Sequence, residues 1–428
     1  MAIKARVLVS GVAMAAAMTL LVACPSQPPP PPPVSTTSTD TVQPPPACPA
    51  TPHSAAGPDD PNPIPSWGVN DTAVATVVIG DVVYVGGTFT QAVAPNGQTA
   101  GRANLAAFCL ADGSLLASFV ANVSGTAQMS PTKPTEIWAL TTDGTNLFVG
   151  GNFNAINGTA VQPLAKLDPV TGAVLAFNPG PIPDVVYALD YFGGRIYAGG
   201  DFSLAGNIRK GASFDSGTGA VGTWNAGIDG TGRIESLKVS PSGQWVYLGG
   251  AFQSVQGQAH DKLAKLARTD ATVQPAVYGN AAPGVIGARV LDLAVNPDNE
   301  DQVFVALGPK AGTSPPPPSG AGNRFVAFNA NGQADWDDNG PDGDGQAVEL
   351  IGSILYAGFH GGWNGDPSKR LLGLTASTGA TTAFAPATNG ILGVFDLAQA
   401  ASSGRLVAVG DFKDMGNTHN LHGVAIFD

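Results

Sequence analysis

Short apolar runs separated by Gly-rich polar turns recur along the chain. Between residues 185 and 224 the pattern is complete. Val185-Val186-Tyr187-Ala188-Leu189 is apolar, and Phe192-Gly193-Gly194 is a turn signal. Arg195-Ile196-Tyr197-Ala198-Gly199-Gly200 is a second apolar run, and Lys210-Gly211-Ala212-Ser213-Phe214 a third. Asp215-Ser216-Gly217-Thr218-Gly219 turns the chain into Ala220-Val221-Gly222-Thr223-Trp224. Four short runs bounded by Gly and Asp predict four β-strands. Stripes of helical period are absent from residues 62–428, so an all-β body is expected.

The second run of this unit is copied. Tyr84-Val85-Gly86-Gly87-Thr88-Phe89 returns as Phe148-Val149-Gly150-Gly151-Asn152-Phe153, as Tyr197-Ala198-Gly199-Gly200-Asp201-Phe202 and as Tyr247-Leu248-Gly249-Gly250-Ala251-Phe252. Weaker copies centre on Phe304, Tyr356 and Val407. Seven copies spaced about 50–60 residues apart, each carrying four strands, predict a seven-bladed β-propeller of four-stranded blades. The glycines are expected at a bulge or a close backbone approach, and the Phe between adjacent sheets. The chain stops after a third strand at Val424-Ala425-Ile426-Phe427-Asp428. Ile64-Pro65-Ser66-Trp67-Gly68-Val69-Asn70 resembles the fourth strands around Trp224 and Trp336. An N-terminal strand is therefore expected to close the seventh blade, which removes two exposed sheet edges.

The phrase, with the third-strand pattern Leu164-Ala165-Lys166-Leu167-Asp168-Pro169-Val170-Thr171-Gly172, resembles the delta-60 type β-propeller repeat of exported bacterial proteins. That family is distantly similar to kelch and quinoprotein-like propellers. The resemblance spans residues 61–428 and implies a fold, with no particular activity attached. The phrase loses its Gly pair in the fifth copy, Val303-Phe304-Val305-Ala306-Leu307. Its tail changes to Phe359-His360-Gly361-Gly362-Trp363 in the sixth.

Ahead of the body, residues 1–23 carry Lys4 and Arg6, then a small apolar stretch ending Leu21-Val22-Ala23 before Cys24. This is the pattern of a secretory signal. It resembles a lipoprotein signal peptide, which implies cleavage before Cys24 and a diacylglycerol on its thiol. Residues 24–61 are rich in Pro, Ser and Thr, with Pro28 to Pro33 unbroken. Such a segment has too little apolar surface to offset chain entropy and is expected to form a disordered, extended stalk. An exported, lipid-anchored protein at the cell membrane or cell surface is the expectation.

Composition narrows the partners. Only 12% of residues are charged and the formal net charge is -12. That balance argues against nucleic acid and against electrostatic docking on anionic lipid. The membrane partner is expected through the lipid on Cys24, and other partners among envelope glycans or proteins. The chain has 3 Cys. With Cys24 acylated, Cys48 and Cys109 are left to pair in an oxidising compartment.

Candidate chemistry is sparse, and no catalytic residue is assigned. Asp335, Asp337 and Asn339 alternate before Gly340, with Asp342 following. Oxygen ligands at alternate positions before a Gly match the start of a Ca2+ loop, although Gln346 stands at position twelve where Glu is usual. A solvated acidic turn is the competing reading. His360 and Trp363 mark a candidate ligand-binding loop. Basic residues recur before the third strands at Arg102, Lys210, Lys262, Arg324 and Arg370, and suit either a cationic ring or local pairing. The expected function is a non-catalytic binding or interaction scaffold for a glycan or protein ligand. The alternative is an exported glycan hydrolase or lyase, with Asp335, Asp337 and Asp342 in a loop-face cleft.

Overall fold

Val, Ile, Leu and Ala fill the second run of every unit, and both faces of each such strand are buried, as in Val82–Gly87 and Leu147–Asn152. A strand apolar on both faces must lie between two other layers. The computed structural model describes residues 48–51, 57–275, 278, 288–309, 323–401 and 403–428. All fall within the unit Gln43–Asp428. The signal segment, Cys24, and the stalk up to residue 47 lie outside the described residues, as do His53 and residues 310–322.

Among the described residues there is no helix, and every paired strand is antiparallel. The larger sheets follow one another along the chain, each a meander. The first holds Ala73–Ile79, Val82–Gly87 and Leu105–Cys109, and the second Glu136–Thr142, Leu147–Asn152 and Leu164–Leu167. The third holds Val186–Phe192, Arg195–Leu204, Ile208–Asp215 and Val221–Asn225. The fourth holds Ile234–Val239, Trp245–Gly250 and Leu263–Ala267. The fifth holds Ala288–Val295, Val303–Pro309, Arg324–Phe328 and Ala334–Asp338. The sixth holds Gly345–Ile351, Ile354–Phe359 and Leu371–Thr375, and the seventh Gly393–Gln399, Leu406–Asp411 and Val424–Phe427. The first strand of each sheet packs on the first strand of the next, and Gly393–Gln399 packs on Ala73–Ile79.

Among the described residues a regular fourth strand occurs only in the third and fifth sheets, which corrects the expectation of four throughout. In four others a single bridge marks the place: Phe108 to Leu115, Leu167 to Val174, Leu266 to Val273 and Leu374 to Thr381. The fourth position is the outer edge, and a short edge strand offers little template for pairing with another chain. In the seventh sheet the place is taken by the N-terminal segment. Ile64 N donates to Ile426 O at 2.9 Å, and Ser66 Oγ to Val424 O at 2.9 Å.

The Gly-Gly phrase acts through space rather than through dihedral angle. Gly86, Gly150, Gly199 and Gly249 all have negative or extended φ. A Cβ on Gly86 would lie 2.3 Å from Ile137 Cγ2, and one on Gly199 would lie 2.4 Å from Ile234 Cγ2. The first glycine thus admits a side chain from the first strand of the following sheet. The second presses on its own sheet: a Cβ on Gly151 would lie 2.1 Å from Glu136 O. Tyr84 and Tyr247 reach onward to the next sheet, donating to Pro169 O at 2.7 Å and Glu300 O at 2.6 Å. The phrase's Phe89, Phe153, Phe202 and Phe252 are fully buried.

Small ribbons form a second tier that the sequence reading did not anticipate. Ala155–Ile156 and Thr159–Ala160 pair across Asn157-Gly158, and Ala155–Ile156 also pairs with Val123–Ser124. Asn157 and Gly158 have φ of 49° and 76°, the left-handed pair that a tight hairpin turn requires. The Asn-Gly dipeptide was the available signal. Cys48 and Cys109 form a disulfide with Cα atoms 5.4 Å apart, tying residue 48 to the third strand of the first sheet.

Candidate functional site: the cavity between the first strands

Each of the seven first strands carries a β-bulge at the same place, opposite the Gly pair or its equivalent. A bulge re-aims one side chain out of the ladder. The residues so displaced are Val74, Trp138, Tyr187 and Glu235, then Leu291, Gln346 and Phe395. All seven line one cavity of about 590 Å³ between the first strands. This volume is in the range of small-molecule sites. In chain order the ring has an aromatic and aliphatic arc from Phe395 through Val74 and Trp138 to Tyr187. The opposite arc, Glu235, Leu291 and Gln346, carries the two polar members of the ring.

The polar arc holds paired charges. Glu235 Oε1 accepts from Arg233 Nε at 2.6 Å and from Arg289 at 3.1 Å. Glu235 Oε2 is buried and has no hydrogen-bond partner among the described residues, and its side chain is 7% exposed. The Arg233 guanidinium sits 5.0 Å from the Tyr187 ring centroid, and Trp138 meets that ring edge-on at 5.3 Å. Burial raises the Asp344 carboxyl, against the opposing charges of Arg289 and His360.

Further along the strands lies a second charged group: Lys238 with Asp190, Asp292, Glu349 and Asp396. These side chains are part-buried: each keeps some area open to the cavity, and protein surrounds the rest. The enclosure governs their charge. Three carboxylates bind the backbone of the following sheet's first strand through Oδ2. Asp190 accepts from Val239 N at 2.7 Å, Asp292 from Val348 N at 2.9 Å, and Asp396 from Thr76 N at 2.7 Å. Glu349 Oε1 accepts from Gln399 N at 3.2 Å. The same acids that face the cavity therefore hold neighbouring sheets in register.

Burial pushes the Asp396 carboxyl up to about 8, with the Asp292 charge adding to the rise. It pushes Glu349 up to about 7, partly offset by Lys238 and reinforced by Asp292 and Asp190. Asp190 and Asp292 are raised by the same burial. For Lys238, burial works against the charge, but the fields of Asp190, Glu349, Asp292 and Asp396 overcome it and hold the ammonium above its usual range. Such a lysine stays charged and is a poor nucleophile.

The residues singled out from sequence lie elsewhere. Asp335 accepts from Asn329 Nδ2 and Gln302 Nε2, both at 3.0 Å. Asp337 pairs with Arg324. Asp342 accepts from Gly365 N at 2.9 Å. Asp335 and Asp337 lie within the strand Ala334–Asp338 rather than in a loop, and each of the three acids has its own partner. Among the described residues no group of three or more His, Cys, Asp or Glu is arranged to hold a metal ion. Trp363 is not a free recognition side chain. It is 8% exposed, stacks on Phe325 at 6.4 Å and lies over Gly340, where no Cβ would fit. His360 stands beside Asp344 at the polar arc. The recurring cations make local contacts: Lys210 with Asp201, Lys262 with Asp261, Arg102 with Gly101 O and Arg370 with Pro367 O. Each of these contacts lies within the residue's own unit.

Sequence reasoning missed the cavity. Its signal was a charge inside a short strand otherwise buried on both faces: Asp190, Lys238, Asp292, Glu349 and Asp396.

No family model matches the chain, and no curated protein matches it. Among solved structures it is similar to the crystal structure of the computationally designed Ika8 protein, with 11% identity and a TM-score of 0.49. That match covers 86% of this chain and 99% of the other. A likeness of that degree carries no argument about this chain.

Proposed function

We propose that this protein is an exported, lipid-anchored binding protein. In this reading the body is a seven-bladed β-propeller closed by residues 64–70. It stands on the stalk of residues 24–61, held to a membrane by acyl chains on Cys24. Each buried CH2 of such a chain contributes about 0.8 kcal/mol. The continuous succession of first strands, returning from Gly393–Gln399 to Ala73–Ile79, supports the propeller. The ligand is a small polar unit, such as one residue of an envelope glycan, taken into the cavity between the first strands.

One observation carries this reading: the bulge ring sets an aromatic arc against a charged arc in a single cavity. Aromatic faces hold the apolar side of a sugar ring, and paired charges bond its hydroxyls. Binding without turnover is favoured because Asp190, Asp292, Glu349 and Asp396 each commit a carboxylate oxygen to a backbone N–H. A second reading, a glycan hydrolase or lyase, draws on Glu349, which burial pushes up to about 7 in a cavity, the setting of a general acid.

The test applies a panel of envelope glycans to the full-length protein, measuring binding and release of reducing ends on the same samples. The expected result is saturable binding with no release. Release of new ends that is lost in Glu349→Gln overturns the non-catalytic reading.

A further inference from the structure

We infer that the ligand of the central cavity carries an organic ammonium group, held between the carboxylates and the aromatic arc. This rests on the preceding reading of the cavity as a binding site and names the chemistry that it selects.

The first observation is charge. Asp190, Glu235, Asp292, Asp344, Glu349 and Asp396 line the cavity, against Arg233, Lys238 and Arg289. Six carboxyls face three permanent cations. Burial, with the neighbouring acids adding to it, raises Glu349 to about 7 and Asp396 to about 8, so protons offset part of the excess at neutral pH. An entering cation does the same work with a better fit. The second observation is independent of the count. Glu235 projects from its bulge with Oε1 occupied by two arginines, while Oε2 is buried without a partner. An ammonium N–H donor satisfies such an oxygen, whereas a carboxylate ligand would meet like charge. The third is the opposite wall. Rings of Trp138, Tyr187 and Phe395 attract cations through their faces, and Tyr187 already holds Arg233 this way at 5.0 Å.

Two sources supply this chemistry: an amino sugar in a glycan, or a lysine side chain of a peptide. At about 590 Å³ the cavity admits either as a single residue.

The experiment titrates the full-length protein by calorimetry with four probes: a glucosamine tetramer, its fully N-acetylated counterpart, trilysine, and a galacturonate tetramer. The expectation is that at least one of the two amine probes binds. The acetylated tetramer should then bind about tenfold more weakly than its amine form, a difference of about 1.4 kcal/mol. Preference for the glucosamine tetramer over trilysine assigns the glycan source, and the reverse assigns the peptide. Trilysine affinity should increase from pH 5.5 to pH 8 with release of protons, as Glu349 and Asp396 give them up while the lysine ammonium groups keep their charge. Glu235→Gln and, separately, Trp138→Leu should each weaken amine binding about tenfold. Equal or tighter binding of the acetylated tetramer, or binding of the galacturonate, overturns the ammonium assignment and leaves the cavity as a binding site. No binding by any of the four overturns the assignment as well. If the glycan panel also gives no binding, the wider reading fails with it.

Discussion

Replacing Lys238 by Met should destabilise the fold by about 1–3 kcal/mol at pH 8, and by far less at pH 5.5. Lys238 is the cation common to the fields of Asp190, Asp292, Glu349 and Asp396. Removing it leaves four carboxyls close to one another in an enclosed space. The sign of the pH effect follows from their raised values. A carboxyl whose folded-state value exceeds its unfolded one binds more protons when folded, so stability falls as pH rises between the two. For Asp396 that window runs from the ordinary carboxylate range to about 8, and for Glu349 to about 7. The wild-type protein should therefore already be more stable at pH 5.5 than at pH 8. Without Lys238 the carboxyls rise further and the slope steepens. Denaturant melts of both proteins at the two pH values check this. An equal loss at both would show that Lys238 acts through packing of its alkyl stem and not through charge.

Deleting residues 64–70 should cost at least about 5 kcal/mol and drive the protein to associate further. The hydrogen bonds lost include Ile64 N to Ile426 O, Ser66 Oγ to Val424 O, Trp67 N to Gly113 O and Val69 N to His422 O, together with those that tie Asn70 to Thr90 and Gln91. Each contributes about 1 kcal/mol net. Val69 is 3% exposed and adds its own burial, about 1.5 kcal/mol or more. The deletion also uncovers the strand Val424–Phe427, whose four residues are fully buried. An exposed apolar edge templates pairing with a second chain. Light scattering and a thermal melt decide the matter. A deleted protein that associates no more than the wild type and melts with it would sink the view that this segment closes the sheet.

The Gly-Gly phrase was legible as a repeated structural device because its cause is local: two backbones and a facing side chain leave no room for a Cβ. The N-terminal segment was legible because its Trp matched the register of other fourth strands. The short outer strands were not, since a turn such as Asp168 to Gly172 looks the same whether one bridge or five follow it. The bulge ring was hidden for a different reason. Val74, Trp138, Tyr187, Glu235, Leu291, Gln346 and Phe395 share a register and no chemistry, and register is a property of paired strands. The acidic run at 335–342 misled in the opposite direction. Close spacing suggested convergence on one ion, but the pleat and the partners Asn329, Arg324 and Gly365 draw its oxygens apart. Trp363 stood out because the phrase breaks down there, and its side chain fills the space that the missing Cβ of Gly340 leaves.

The account stands on the cavity being the place where ligand binds. Leu291→Trp adds an indole to the bulge ring while leaving every charged residue of the cavity in the sequence, and overpacking of this kind costs about 1–3 kcal/mol, which the fold should survive. Val221→Trp, at an exposed position on the outer strand Val221–Asn225, is the matched control. Calorimetric titration of the glycan bound by the wild-type protein should show binding lost in Leu291→Trp and unchanged in Val221→Trp. Wild-type affinity in a folded Leu291→Trp protein would place the ligand elsewhere and contradict the account.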